Sequence, residues 1–566
     1  MKLTEETIQN TIELLIETYK LPTQFINKMI NEFGLKNCGI TLNKELSNKE
    51  KIKLILNAQG SLLFTGSNAI NIEIRKRIIE NWIDSNLNYS FEKWCSTGGN
   101  SKAHKVGRLS NLRWHSGKQW ANTFVEFSGF DKIFTGIAND SKKSKFEDIE
   151  PIIKPPQLTD FQIELKNALI KTLNEKGDEA KCVISLPTGG GKTRTAVEAF
   201  VEWLQPRFSE GKYLIWLAQS EELCEQAITS ISQVWSSKEF TDSLRVYRFY
   251  GSNDFDVEDL SGGVIVCTIH KIYNAILNDT AVIKEIISNC GALLIDEAHR
   301  ATSPMYMKLY EYSQKHNGVN MFPICGLTAT PGRNGDTYSL SRLFQSNLYT
   351  PNLGEDYNKN PLAYFRENKF LAIPIHNIIK TNFKINNFDI QDNLNDEDVI
   401  DELENYFKRI LNRHLAKDND RNILIVNTLE KIKKGQQTLV YACTVEHATY
   451  LSTIMNFKGR NAVVISSDTR KPLRRKYIEQ FKNGEIDFIF NYGVLTTGFD
   501  APKTENIVIC RPTFSGVLYE QIVGRGLRGP KFGGTETCTI IDFCDNYSRF
   551  GDQQAYMRFK DSWLKI

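Results

Sequence analysis

The sequence predicts an α/β protein: two tandem parallel-sheet lobes preceded by a mostly helical N-terminal domain. Three observations predict it. From Gln157 onward, short β-rich apolar runs alternate with helical patterns. The same texture returns at Thr438 after an irregular, Asn-rich stretch. The first 150 residues lack such runs and instead repeat apolar positions at three- and four-residue steps.

The N-terminal domain, residues 1–150, is exemplified by Ile74 to Ile83, whose apolar spacing is helical. Ser141 to Lys145, followed by Pro151, Pro155 and Pro156, reads as a linker. The first lobe, residues 157–365, holds the runs Cys182–Leu186, Tyr213–Leu217, Val264–Cys267, Ala292–Ile295 and Pro323–Leu327. Continuous apolar strands separated by helices belong to a parallel sheet covered on both faces. The second lobe with its connector, residues 366–566, opens with an acidic stretch around Asp389 to Glu404 and a helical segment. It then shows Thr438–Tyr441, Ala462–Ile465, Asp487–Phe490, Asn506–Ile509 and Thr539–Phe543.

The 566 residues suffice for about three or four domains. Apolar residues make up 41 % and charged residues 24 %, an ordinary soluble composition. No apolar run nears the roughly eighteen residues of a membrane span, and the polar start Met1 to Glu6 does not read as a secretory signal. A cytoplasmic protein without membrane partners is expected. The eleven cysteines include no Cys-x-x-Cys pair, and several sit inside apolar runs, which suits buried free thiols. A net charge of +3 is too mild to select a partner.

The sharpest local signal is Leu186-Pro187-Thr188-Gly189-Gly190-Gly191-Lys192-Thr193, between an apolar strand and a helix expected over 195–204. Glycines let backbone N–H groups turn inward around phosphate oxygens, and the helix N-terminus adds its positive end. Lys192 supplies a charge for the β- and γ-phosphates of ATP, and Thr193 a hydroxyl for Mg²⁺. Leu293-Leu294-Ile295-Asp296-Glu297-Ala298-His299 then sets two carboxylates at the C-terminal end of a buried strand, where open α/β sheets bind ligands. Asp296 suits Mg²⁺, and Glu297 suits orientation and deprotonation of an attacking water. His299 follows directly and suits a relay toward a second ligand.

A Pro-Thr-Gly-x-Gly-Lys-Thr loop followed by Asp-Glu-Ala-His resembles the superfamily 2 helicases and translocases. Thr328-Ala329-Thr330 resembles their motif III, Thr496-Thr497-Gly498-Phe499-Asp500 motif V, and Gln521 to Arg528 motif VI. The wording of the last two is most similar to the branch of type III restriction enzyme helicase subunits and RadD-like helicases. The resemblance covers about residues 157 to 545 and implies two RecA-like lobes with ATP in the cleft between them. It implies that Arg525 and Arg528 reach the γ-phosphate as arginine fingers, that Gln521 reads that phosphate, and that Gly498 and Asp500 lie on the ribose side. It further implies that Gln162 reads adenine while Phe161 stacks on it; the alternative for this segment is a helix cap at Asp160.

The same resemblance places nucleic acid across both lobes. Candidate contacts are Gln219, Ser220, Thr268, His270, Lys271, Thr444 and Thr497, each just past a strand end, with His299, Thr328 and Thr330 coupling this surface to ATP. Hydroxyls and amides there suit phosphate oxygens, so the binding is sequence-independent. Between Lys93 and Lys118 every charged residue is basic, with Trp94, Trp114 and Trp120 interleaved. This is either an extra nucleic-acid surface or, the favoured reading, a small core with a solvated basic face. The expected function is an ATP-dependent helicase or translocase acting on DNA, within restriction, repair or phage defence. The alternatives are an RNA helicase and an ATP-gated sensor that docks a partner nuclease through its N-terminal domain.

Overall fold

A computed structural model describes residues 2–95, 99, 101–136, 146–149, 157–176, 180–238, 240, 242–318, 321–331, 337–358, 360–381, 411–495, 501–512 and 516–543. The strands of the first lobe are β1 (Phe146–Ile149), β2 (Lys181–Ser185), β3 (Tyr213–Ala218), β4 (Leu244–Phe249), β5 (Gly263–Thr268), β6 (Cys290–Asp296), β7 (Ile324–Thr328) and β8 (Leu348–Tyr349). They form one sheet in the order β1-β4-β5-β3-β6-β7-β2-β8, parallel except for β1. The second lobe contains β9 (Ile373–Ile378), β10 (Thr438–Tyr441), β11 (Ala462–Ile465), β12 (Phe488–Asn491), β13 (Asn506–Ile509) and β14 (Thr537–Asp542). Its order is β11-β12-β10-β13-β14-β9, parallel throughout.

Four strands lie outside the sequence expectation: Leu244–Phe249, Leu348–Tyr349 and the two edge segments that follow. Phe146–Ile149, inside the stretch that reads as a linker, pairs antiparallel with β4 as the edge strand of the first sheet. Ile373–Ile378, within the connector, pairs with β14 and closes the other end of the second sheet. Both are edge strands, which need only one partner and one covered face and therefore carry a weak apolar signal.

Register places the chemistry. Ser185 of β2 lies opposite Thr328 of β7, and Asp296 of β6 lies opposite Leu327. The phosphate loop, the acid pair and Thr328 therefore leave the same edge of the sheet side by side. Apolar cores cover both faces of that sheet, one around Trp216 and Trp235, the other around Ile215, Ile265 and Phe344.

The second sheet is also covered twice, and its two covers differ. Successive residues of β10 point to opposite faces. Leu439 and Tyr441 join the core beneath helix Gly516–Val523. Val440 and Ala442 face helices Asn419–Glu430 and Val445–Phe457, whose outer sides merge with the N-terminal helices into one continuous core. Thr41 Oγ1 and Tyr450 OH, 2.5 Å apart, and Lys44 over the Phe457 ring mark this junction. The N-terminal module is thus fused to lobe two. Within it Trp114 and Trp120 are buried against Phe124, and Trp94 packs edge-on to Trp120. The interleaved tryptophans are core residues, while Lys93, Lys102, Arg108, Arg113 and Lys118 are solvated.

Candidate active site

Strand β2 ends at Ser185, and Leu186 N donates to Thr328 O at 3.3 Å, so the loop leaves the sheet tied to the neighbouring strand. Gly190 N donates to Pro187 O, and Gly189 (φ +88°) and Gly191 (φ +84°) take left-handed conformations that a side chain would strain. Helix Lys192–Leu204 begins at once, three residues earlier than its sequence pattern suggests. Lys192 Nζ donates to Leu186 O at 3.0 Å and to Pro187 O at 3.4 Å. Burial lowers its pKa, opposed by the charges of Glu297 and Asp296.

Glu297 adopts φ +54°, ψ 51°, rare for a residue with a Cβ and costing on the order of 1–2 kcal/mol. The turn bends the chain from β6 into Ala298–Arg300 and leaves both carboxylates at the cleft. Asp296 Oδ1 accepts from Glu297 N at 3.0 Å. Burial, and then the adjacent Glu297 charge, push the Asp296 carboxyl well above its ordinary range. Burial works the same way on Glu297, but the hydrogen bond and charge of His299, with Lys192 and Arg525, outweigh it and hold that carboxyl low.

His299 Nδ1 lies 3.3 Å from Glu297 Oε2 and 3.3 Å from Thr328 Oγ1. The Thr328 hydroxyl donates to Thr330 O at 3.0 Å and accepts from Thr330 N, so the imidazole must carry its proton on Nδ1. A buried chain of polar contacts thus runs from Glu297 through His299 to Thr328 and Thr330.

Lobe two closes the site. A cavity of about 720 Å³ is lined from lobe one by Thr188, Gly189, Lys192, Thr193, Asp296 and Glu297, and from lobe two by Gln521, Arg525 and Arg528. The charges of Arg525 and Arg528 act on Lys192, and that of Arg525 on both carboxylates. The connector pins this edge: Ala372 N donates to Leu527 O, and Gly529 N to Phe370 O, each at 3.0 Å. Contact across the cleft is close at Gly524, where a Cβ would lie 2.5 Å from Thr188 Cγ2.

The end of the cleft beside Gln162 corrects one expectation. Phe161 is 3 % exposed and packs edge-on against Phe365 and Phe370, so its faces belong to the core and cannot stack on a base. Its spacing with Leu165 and Leu169 is that of a buried helical stripe, a signal present in the sequence. The helix cap is Thr159, not Asp160: Gln162 completes a capping box, its Oε1 accepting from Thr159 N and Oγ1 at 3.1 Å. Gln162 nevertheless lines the cavity, with its Nε2 against Gly191. The aromatic residues lining this end are Phe370 and Phe532, ring centroids 5.4 Å apart. The sequence reading missed both.

Ser220, Thr268 and Thr444 share a geometry. Thr268 ends β5, Ser220 and Thr444 lie just past β3 and β10, and each caps the next helix, accepting from Lys271 N, Leu223 N and His447 N respectively. Each leaves a hydroxyl proton and a helix N-terminus for an anion. Gln219 Nε2 is shielded from solvent without an acceptor among the described residues. His270 is exposed, and Lys271 pairs with Asp254 at 2.5 Å. Thr497, Gly498 and Asp500 lie outside the described residues.

Two α/β lobes closing on a phosphate loop, an acid pair and facing arginines define the nucleotide-driven helicase class, with its RecA-like lobes. The chain carries two domains of helicase families and is similar to the superfamily 2 helicases. Residues 156–333 match the family described as type III restriction enzyme, res subunit, and residues 420–529 match the helicase conserved C-terminal domain. The Saccharomyces cerevisiae protein named "Putative ATP-dependent helicase IRC3" is 27 % identical over 395 residues, covering 69 % of this chain and 51 % of that protein. The Schizosaccharomyces pombe protein named "Putative mitochondrial ATP-dependent helicase irc3" is 23 % identical, covering 69 % and 58 %. The type I restriction enzyme EcoAI endonuclease subunit of Escherichia coli is 22 % identical, covering 70 % and 47 %. The chain spans about half the length of these relatives. Among the described residues no helix is long and apolar enough to cross a membrane.

Proposed function

We propose that this chain hydrolyses ATP with Mg²⁺ to move along nucleic acid, and that its track is DNA. One observation carries the reading: Lys192 on lobe one and Arg525 on lobe two line the same cavity. An ATP tail there is held by one half of the molecule and sensed by the other. Lys192 must exchange the Leu186 and Pro187 carbonyls for phosphate oxygens when the nucleotide enters. Glu297, kept ionised beside His299, takes the proton of the attacking water. Arg525 and Arg528 stabilise charge developing on the γ-phosphate, and Gln521 contacts it. Phe532 and Gln162 bound the base.

The residues fit a divalent cation. Asp296 is crowded by a second buried carboxylate that raises its proton affinity, and a cation relieves the same repulsion. Thr193 and Asp296 would hold Mg²⁺, whose charge neutralises the β- and γ-phosphate oxygens. The caps Ser220, Thr268 and Thr444 bind the sugar–phosphate track, and the relay through His299 joins it to hydrolysis. The choice of DNA rests on the likeness to a type III restriction enzyme subunit. A protein partner, such as a nuclease, would meet the solvated face of the N-terminal module.

The test is ATPase stimulation by single-stranded DNA, duplex DNA and RNA, measured on wild type and Glu297→Gln. DNA stimulates the wild type, while the variant binds ATP and DNA but stalls. Normal turnover in Glu297→Gln refutes the role of that acid, and preferential stimulation by RNA refutes the choice of track.

A further inference from the structure

The end of the cleft beside Gln162 also bears on which nucleotide enters. Gln162 stands three residues after the capping Thr159 and is 3 % exposed, yet it lines the cavity. Its Oε1 accepts from Thr159 N and from Thr159 Oγ1, each at 3.1 Å. An amide oxygen has two lone pairs, and the capping box uses both. The Thr159 N–H can meet only an acceptor, so the amide cannot be turned over without losing the cap. What remains for the cavity is Nε2, whose N–H groups find no acceptor among the described residues. This nitrogen sits directly on the phosphate loop, where a Cβ at Gly191 would come within 2.4 Å of it.

The rest of this end carries no base code. Phe532 is half-buried, and Phe370 backs it with ring centroids 5.4 Å apart. Its Cζ lies 3.8 Å from the same Cβ position at Gly191, so ring and amide converge on one spot. An aromatic ring stacks on any base. Lys531 Nζ stands 4.4 Å from the Phe370 centroid and adds only donors. Gln157, a second amide in the lining, is exposed, and an acceptor shared with water discriminates little. The purine edge that amides read carries the acceptor N7 in both bases, beside an amino donor in adenine and a carbonyl acceptor in guanine. An amide reads adenine in full by donating to N7 and accepting from the amino group. With its oxygen spent, Gln162 can do only the first.

We propose that Gln162 and Phe532 form a purine site without adenine selectivity: the amide donates to N7, the ring stacks, and GTP is taken as readily as ATP. The inference rests on the nucleotide reading above and names the substrate class of that same cleft.

The test uses the full chain and displacement of a fluorescent ADP. ADP, GDP and purine riboside diphosphate, which lacks the amino group, displace it with affinities within about threefold of one another. 7-Deaza-ADP, which lacks the N7 acceptor, and UDP bind about tenfold more weakly, because the Gln162 donors are left unpaired. The kcat/KM values of the matching triphosphates, with a stimulating nucleic acid present, follow the same order. Gln162→Glu keeps the capping box but exchanges the donors for an acceptor, so it weakens GDP by about tenfold relative to ADP while the unfolding temperature stays near wild type. Equal binding of ADP and 7-deaza-ADP by the wild type, or a preference for ADP over both GDP and the amino-free analogue, overturns the purine site. Absence of turnover with any triphosphate and any nucleic acid instead overturns the functional reading itself.

Discussion

Gly524 offers a direct probe of whether the two lobes work face to face. A Cβ at this position would lie 2.5 Å from Thr188 Cγ2 and 2.6 Å from Thr188 Cβ, more than an ångström inside ordinary carbon–carbon contact. Thr188 belongs to the phosphate loop, whose backbone is held by Thr328 and by its own turn, so it cannot retreat freely. Overpacking of this kind costs about 1–3 kcal/mol. The same Cβ would lie 2.9 Å from Glu520 O of its own lobe, so Gly524→Ala costs lobe two some stability as well as lowering the closed population, and with it turnover, by about five- to 150-fold. The assay pairs binding of a fluorescent ATP analogue with steady-state ATPase, and thermal unfolding of the same variant as control. Turnover falls, nucleotide affinity falls less, and the unfolding temperature drops only by the part of the clash that lies within lobe two, against Glu520 O. Thr188→Gly removes both clashing atoms, so the double variant loses less than the two single variants together predict. A Gly524→Ala protein with wild-type turnover refutes the close approach and the shared cleft built on it.

Arg525→Ala should reduce turnover by about a thousandfold while leaving nucleotide affinity near wild type, and an equal loss of both argues against a finger. His447 is buried, its Nδ1 accepting from Cys443 N and its Nε2 donating to Asn422 Oδ1, and burial lowers its pKa to about 3. Its folded pKa lies below the unfolded value near 6.5, so the unfolded chain binds the extra proton between those limits, and stability drains away as pH falls below about 6.5. At pH 5 the loss is about 2 kcal/mol, and chemical denaturation across pH should show a flatter dependence for His447→Gln. Deleting residues 2–136 uncovers the outer sides of helices Asn419–Glu430 and Val445–Phe457, so the remaining lobes should aggregate and bind an apolar dye. A soluble, monomeric remainder with intact ATPase would contradict the continuous core.

The strands covered on both faces were legible because burial on each side forces continuous apolar runs, as in Tyr213–Leu217 and Ala292–Ile295. Edge strands were not. Ile373–Ile378 alternates half-buried and exposed residues and reads as connector. Nor was the interior strand Leu244–Phe249, which hides behind Arg245 and Arg248, the latter buried against Glu225. The phosphate loop and the acid pair were legible because phosphate chemistry constrains contiguous residues. The far end of the cleft was not, because it is assembled from Gln162, Phe370 and Phe532, three segments that only the fold brings together. Which face of a helix Phe161 occupies is settled by its stripe with Leu165 and Leu169, a pattern weaker to the eye than the motif beside it.

The fusion of the N-terminal helices to lobe two changes the mechanics of the molecule. A body that shares its apolar interior with one lobe travels with that lobe as cargo, and a small rotation at the hinge sweeps its far end through a wider arc. On the function proposed above, the solvated lysines and arginines of the module are displaced with lobe two at every nucleotide cycle, giving whatever rests on them a lever stroke timed by ATP.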